Sequence, residues 1–122
     1  MSRAKISLGQ RGETLAADKL AALGYSLIAR NYRCPHGEID LIAKHDTVWV
    51  FVEVKTRRGS SHGTPEEAVT PRKQAHLIAS AQHYLQANGL ENENWRIDVV
   101  AVELTPVGKL LRVEVIENAV QG

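Results

Sequence analysis

Cysteine is nearly absent. Cys34 is the only one in 122 residues, so no disulfide can close within the chain, and the composition suits a reducing compartment. Long apolar runs are missing too. None approaches the roughly 20 residues that span a bilayer, which excludes a helical membrane protein. Arg3 and Lys5 stand near the start with no apolar stretch behind them, so the sequence predicts no secretory signal and a cytoplasmic protein. Internal repeats, low-complexity tracts and an interdomain linker are also lacking. What remains is 43% hydrophobic and 24% charged, ordinary for a soluble protein. The length predicts one domain, residues 1–122, with one real core.

Excess charge is small, a formal +1, and by itself favours no class of partner. Its distribution is uneven. Residues 1–60 hold ten Lys and Arg against six Asp and Glu, and residues 61–122 hold five against eight. A basic half suits a polyanionic substrate, although a solvated surface can carry the same asymmetry.

Periodicity predicts the elements. Ala16, Leu20 and Leu23 recur at helical spacing, giving a helix over 9–23 that Gly24 stops. Residues 25–33 read as a strand and Cys34-Pro35-His36-Gly37 as a turn. Strands follow at Glu38–Ala43 and Thr47–Arg57, with a hairpin turn in Lys44-His45-Asp46. Gly59, Ser60, Ser61, Gly63 and Pro65 mark 58–69 as a mobile loop. Thr70 as N-cap and Pro71 at the first helical position start a helix that runs to about Asn88, where Gly89 closes it. Strands at 96–104 and 109–117 complete the order α-β-β-β-α-β-β. This is an α/β fold in which the second helix bridges two parallel strands.

Chemistry concentrates on the strand 47–57. Alternation puts Val48, Val50, Val52, Val54 and Thr56 on one face, and Trp49, Phe51, Glu53, Lys55 and Arg57 on the other. The valine face is core, and Trp49 and Phe51 belong under a helix. Glu38, Asp40 and Ile42 share a face of the preceding strand. A two-residue loop at His45-Asp46 sets Asp40 opposite Phe51 and Glu38 opposite Glu53, so that Asp40 and Glu53 are diagonal neighbours. A three-residue loop would send Asp40 among the valines, where a charge is costly to bury. Paired carboxylates repel unless a cation or proton lies between them, and Mg²⁺ suits such a pair. Lys55 can orient or deprotonate an attacking water, or neutralise developing charge. The same spacing is also met in a plain Asp-Glu-Lys salt-bridge cluster on an exposed sheet.

The stretches Gly37-Glu38-Ile39-Asp40-Leu41-Ile42-Ala43 and Val50-Phe51-Val52-Glu53-Val54-Lys55-Thr56-Arg57 closely resemble the YraN family of bacterial proteins. Gly9-x-x-Gly12-Glu13 and Thr70-Pro71-x-Lys73-Gln74 extend the likeness over nearly the whole chain. That family is similar to the PD-(D/E)XK nuclease superfamily, with its restriction-endonuclease-like mixed sheet flanked by helices, and to the archaeal Holliday-junction resolvases. The resemblance implies a metal-dependent endonuclease using Mg²⁺ or Mn²⁺ on DNA, branched DNA included, and points to a homodimer because junctions have two-fold symmetry. Asp40 matches the pattern's aspartate, Glu53 its acid and Lys55 its lysine. Glu13 matches the glutamate of the first helix, a third acid at the metal. One departure is Ile39, where the pattern has proline before the aspartate.

Glu13 has a plainer reading as an acid in the first turn of a helix. Gln74, on the inward stripe with Leu77, Ile78 and Ala81, can contact DNA backbone or orient water, or can cap a strand end. Arg57, Arg58, Arg72 and Lys73 flank the loop and the helix start and can hold phosphates, or form a solvated basic rim. Cys34 and His36 are too few for zinc and read as turn residues, and Asp98 reads as structural. The rival to an endonuclease is a non-catalytic nucleic-acid-binding module of the same fold. A third reading is a purely structural interaction protein, against which the intact acid–acid–lysine set stands.

Overall fold

A computed structural model describes residues 6–59 and 63–121. The centre of the predicted 58–69 loop, residues 60–62, lies outside the described residues, as do Arg3 and Lys5. The elements are helix α1 (Leu8–Ala22) and strands β1 (Ser26–Cys34), β2 (Gly37–His45) and β3 (Val48–Arg58). A short 3-10 turn (Glu66–Ala68), helix α2 (Pro71–Ala87) and strands β4 (Trp95–Leu104) and β5 (Leu110–Val120) follow. The order α-β-β-β-α-β-β is the one the sequence predicts. The strands form one sheet in the order β1-β2-β3-β4-β5. Only β3 and β4 run parallel, and α2 is the crossover between them.

The two faces of β3 divide the core as alternation predicts. Val50 and Val52 pack with Leu41, Ala43, Val100 and Val102 against Ala16, Ala17 and Leu20 of α1. Phe51 packs with Ile42, Ile97 and Val99 against Leu77, Ala81 and Leu85 of α2. Helix α1 starts one residue earlier than its apolar stripe reveals, because Ser7 and Gln10 form a reciprocal capping box. Its small residues let it lie close on the sheet. A Cβ added to Gly12 would stand 1.8 Å from Thr56 Oγ1, so this position excludes every larger residue without a backbone shift. Helix α2 begins as expected: Thr70 Oγ1 accepts the Lys73 N–H at 3.2 Å, with Pro71 as the first helical residue.

The β2–β3 register differs from the one expected. The turn falls on Asp46-Thr47, not His45-Asp46, so His45 pairs with Val48, Ile42 with Phe51 and Leu41 with Val52. Asp46 takes the positive φ of 55° in this turn, a conformation aspartate tolerates better than most residues. The displacement is two residues along the partner, so every side chain keeps its face. Carried one step past Leu41–Val52, this register sets Asp40 opposite Glu53, not diagonal to it.

Candidate functional site

The β2–β3 ladder stops at Leu41–Val52, and the two strands part there. The cause lies in the residues at the fork. Ile39 packs with Tyr32 on the α2 side, whereas Leu41 packs on the α1 side, so strict alternation breaks at Asp40. On β1 the facing residue is Asn31, between the Arg30–Leu41 and Tyr32–Ile39 pairs, and it too has a positive φ, 53°. The Asp40 carboxylate turns into the gap. Its Oδ2 accepts the Val54 N–H at 2.8 Å, taking the place of a β2 carbonyl. The expectation that Glu38, Asp40 and Ile42 stand on one face is therefore corrected: the kink aims Asp40 along the sheet toward β3.

Four elements bring charge to this fork. From β3, Glu53 is buried, 4% exposed, and its pKa is raised. Burial is the main cause, followed by the hydrogen-bonding and charge of Asp40, with Lys73 opposing. From α2, Lys73 Nζ lies 3.1 Å from Glu53 Oε2, yet that oxygen has no hydrogen bond of acceptable geometry and is sealed from solvent. From α1, half-buried Glu13 also has a raised pKa, chiefly through burial and then through the charges of Asp40 and Glu38, with Arg30 lowering it. The Asn31 amide nitrogen, with the amide oriented toward the acids, donates to Glu13 Oε1 at 3.2 Å and Glu38 Oε1 at 3.3 Å. Burying mutually repelling carboxylates is costly without a compensating cation or shared proton.

The predicted site residues are thus only partly reunited. Asp40 and Glu53 meet at the fork, with Glu13 facing Asp40. Lys55 is half-buried two residues beyond Glu53 on the same face of β3, about 7 Å along the strand, and makes no ion pair or hydrogen bond among the described residues. Gln74 Nε2 donates to the Val69 carbonyl at 3.0 Å, at the end of the 3-10 turn that precedes α2 and not at a strand end as one reading had it. The four proposed phosphate contacts do not form one patch. Arg57 lies on the α2 side of the sheet beside Glu103. Arg58 points to the opposite side, where its Nε donates to the Pro106 carbonyl at 3.0 Å. Arg72 is exposed at the start of α2, and Lys73 is engaged with Glu53. Two further residues stand at the fork: Glu38, which alternation set near Glu53 without a role, and Asn31, which nothing in its spacing marks.

Beyond the site, Asp98 is structural as read. Fully buried, it accepts from Tyr25 Oη at 2.9 Å, Arg96 Nε at 3.0 Å and the Asn118 N–H at 2.9 Å. Among the described residues no three His, Cys, Asp or Glu side chains are grouped as a ready-made metal site. The three acids nominated from sequence therefore do not converge as a set. The pair does fit one hard divalent ion, because Mg²⁺ is usually held by one or two carboxylates with waters and phosphate. Glu53 Oε2 is buried without a well-formed hydrogen bond, and the Lys73 ammonium beside it shows that this carboxylate accepts a cation. No helix among the described residues is long and apolar enough to cross a membrane.

A mixed sheet with a helix on each face and a split between its second and third strands is the architecture that frames this site. The family model described as "Uncharacterised protein family UPF0102" matches residues 12–102, and the chain belongs to that family, as its motifs anticipated. A UPF0102 protein of Symbiobacterium thermophilum is 54% identical over 112 residues, covering 92% of this chain and 94% of its own length. One from Dehalococcoides mccartyi is 48% identical over 111 residues, 91% and 90% of the two chains. One from Roseiflexus castenholzii is 45% identical over 122 residues, 99% and 98%.

Proposed function

We propose that this chain is a cytoplasmic divalent-metal-dependent DNA endonuclease of the PD-(D/E)XK kind, acting on branched DNA among its substrates. One observation carries the reading: a buried glutamate stands against an aspartate at the point where two strands separate. Asp40 and Glu53 would hold Mg²⁺ or Mn²⁺, with Glu13 reinforcing the negative field from α1. When bound, such an ion acidifies water and stabilises charge on a phosphodiester. Asp40 is held by the Val54 N–H, so its orientation is set before any ligand arrives. Lys55, on the same strand face as Glu53, makes no ion pair among the described residues. Its roles are to position the attacking water and to neutralise charge that develops as one P–O ester bond breaks. Arg57 and Arg72 hold the backbone beside the site.

A second reading has one observation in its favour. Lys73 Nζ already stands 3.1 Å from Glu53 Oε2, as befits a DNA-binding module that has no need of metal. A cleavage screen over linear, flap and four-way-junction DNA with Mg²⁺ and Mn²⁺ separates the two. Wild type should cut at least one substrate. Asp40→Ala should abolish both cutting and metal binding, and Lys55→Ala should abolish cutting alone. Tight DNA binding with no metal-dependent cutting of any substrate would select the binding module.

A further inference from the structure

Lys73 is fixed at its root and free at its tip. The Thr70 cap, Pro71 and the Gln74–Val69 hydrogen bond together pin the first turn of α2. The side chain leaves this turn and reaches across to β3, ending 3.1 Å from Glu53 Oε2. The carboxylate is 5% exposed there and the lysine side chain 35%, so the ammonium can return to water while the glutamate cannot. The contact is one of charge alone, since Oε2 accepts no well-formed hydrogen bond. A lysine ammonium is a compact point charge on a flexible stem. It satisfies a lone carboxylate oxygen without the geometric commitment of an arginine fork. A cation shared by Glu53 and Asp40 would lie beside this ammonium.

We propose that Lys73 is the built-in cation of the acidic fork: its ammonium rests against Glu53 when no divalent ion is present and must withdraw for one to bind between Glu53 and Asp40. This rests on the metal-site reading given above and adds a competitor to it. Lys73 is then a positioning residue that holds the two carboxylates together in the free protein and sets the metal affinity below what the acids alone would give. Two positive charges held at one buried carboxylate repel each other even at moderate screening, so lysine and metal compete for it.

The test is Mg²⁺ titration calorimetry on the full chain and on Lys73→Met at about pH 8.5, repeated in two buffers of different ionisation enthalpy so that proton release from Glu53, greater in the variant because Lys73 no longer favours its ionised form, is subtracted from each affinity. Lys73→Met should bind Mg²⁺ about tenfold more tightly, the part of the competing attraction that survives solvent screening. Equal or weaker binding by the variant would overturn the competitor role while leaving the metal site standing. No Mg²⁺ binding by either protein would overturn the metal-site reading itself. Should Lys73→Met not fold, lysine-labelled wild type decides the matter by NMR, with the Lys73 signal assigned by its loss in Lys73→Arg. On saturation with Mg²⁺ that signal should move to the position of solvated lysines. A signal that stays in place while calorimetry records Mg²⁺ binding would refute the exchange.

Discussion

Replacing Glu53 by Gln removes a titration and keeps the shape of the side chain, so it isolates what ionising this residue costs. The groups facing it are Asp40 from β2 and Lys73 from α2, with Lys55 further along β3. Burial and Asp40 together push the Glu53 carboxyl from its ordinary 4.5 up to about 8, against the opposing pull of Lys73. Between those two values the folded protein holds a proton that the unfolded chain has released. Stability must then fall as pH rises, by up to about 1.4 kcal/mol per pH unit for one proton. From about pH 5.5 to about pH 7.5 that amounts to about 2.7 kcal/mol at most, and relaxation with the partly solvated Lys73 brings it to about 1–2 kcal/mol. Glu53→Gln stays neutral throughout. Urea unfolding of both proteins over this range, with chelator present, should show wild type losing about 1–2 kcal/mol relative to the variant as pH rises. The variant should be the more stable at the alkaline end. Parallel curves would mean that Glu53 is ionised and adequately solvated in the folded chain, and the picture of a sealed carboxylate would be wrong.

Gly12→Ala should destabilise the fold by about 2 kcal/mol or more, since its methyl group would overlap Thr56 Oγ1,. Thr56→Ala in the same chain should restore much of that loss, as read by thermal unfolding, and an unperturbed single variant would show that α1 does not lie so close to β3. In salt titrations of DNA binding, Arg57→Ala should reduce the log–log slope by about one contact's worth, roughly 0.9. Arg58→Ala should leave it unchanged, because Arg58 lies on the other side of the sheet and is held by Pro106; equal effects of the two would place the DNA differently.

Much of the fold is written in local pattern. The alternation of valines with Trp49, Phe51 and Glu53 assigns both faces of β3, Thr70-Pro71 marks the start of α2, and Gly24 the end of α1. These signals survive in isolation because they depend on backbone geometry and on which side chains tolerate water. That Asp40 and Glu53 come near each other was legible too, because an Asp in one strand and E-x-K in the next lie on neighbouring strands of one hairpin. The same alternation also separates Arg57 from Arg58, so their different faces could have been read in advance. What no local pattern contained was the register of that hairpin, which turned on whether His45 or Asp46 would enter the left-handed region. Nor did it contain the break of alternation at Asp40, the bridging of Glu13 and Glu38 by Asn31, or the reach of Lys73 from α2 to Glu53. Each of these joins residues from different elements, and the balance of burial, charge repulsion and hydrogen bonding that settles them exists only once the helices have docked on the two faces of the sheet.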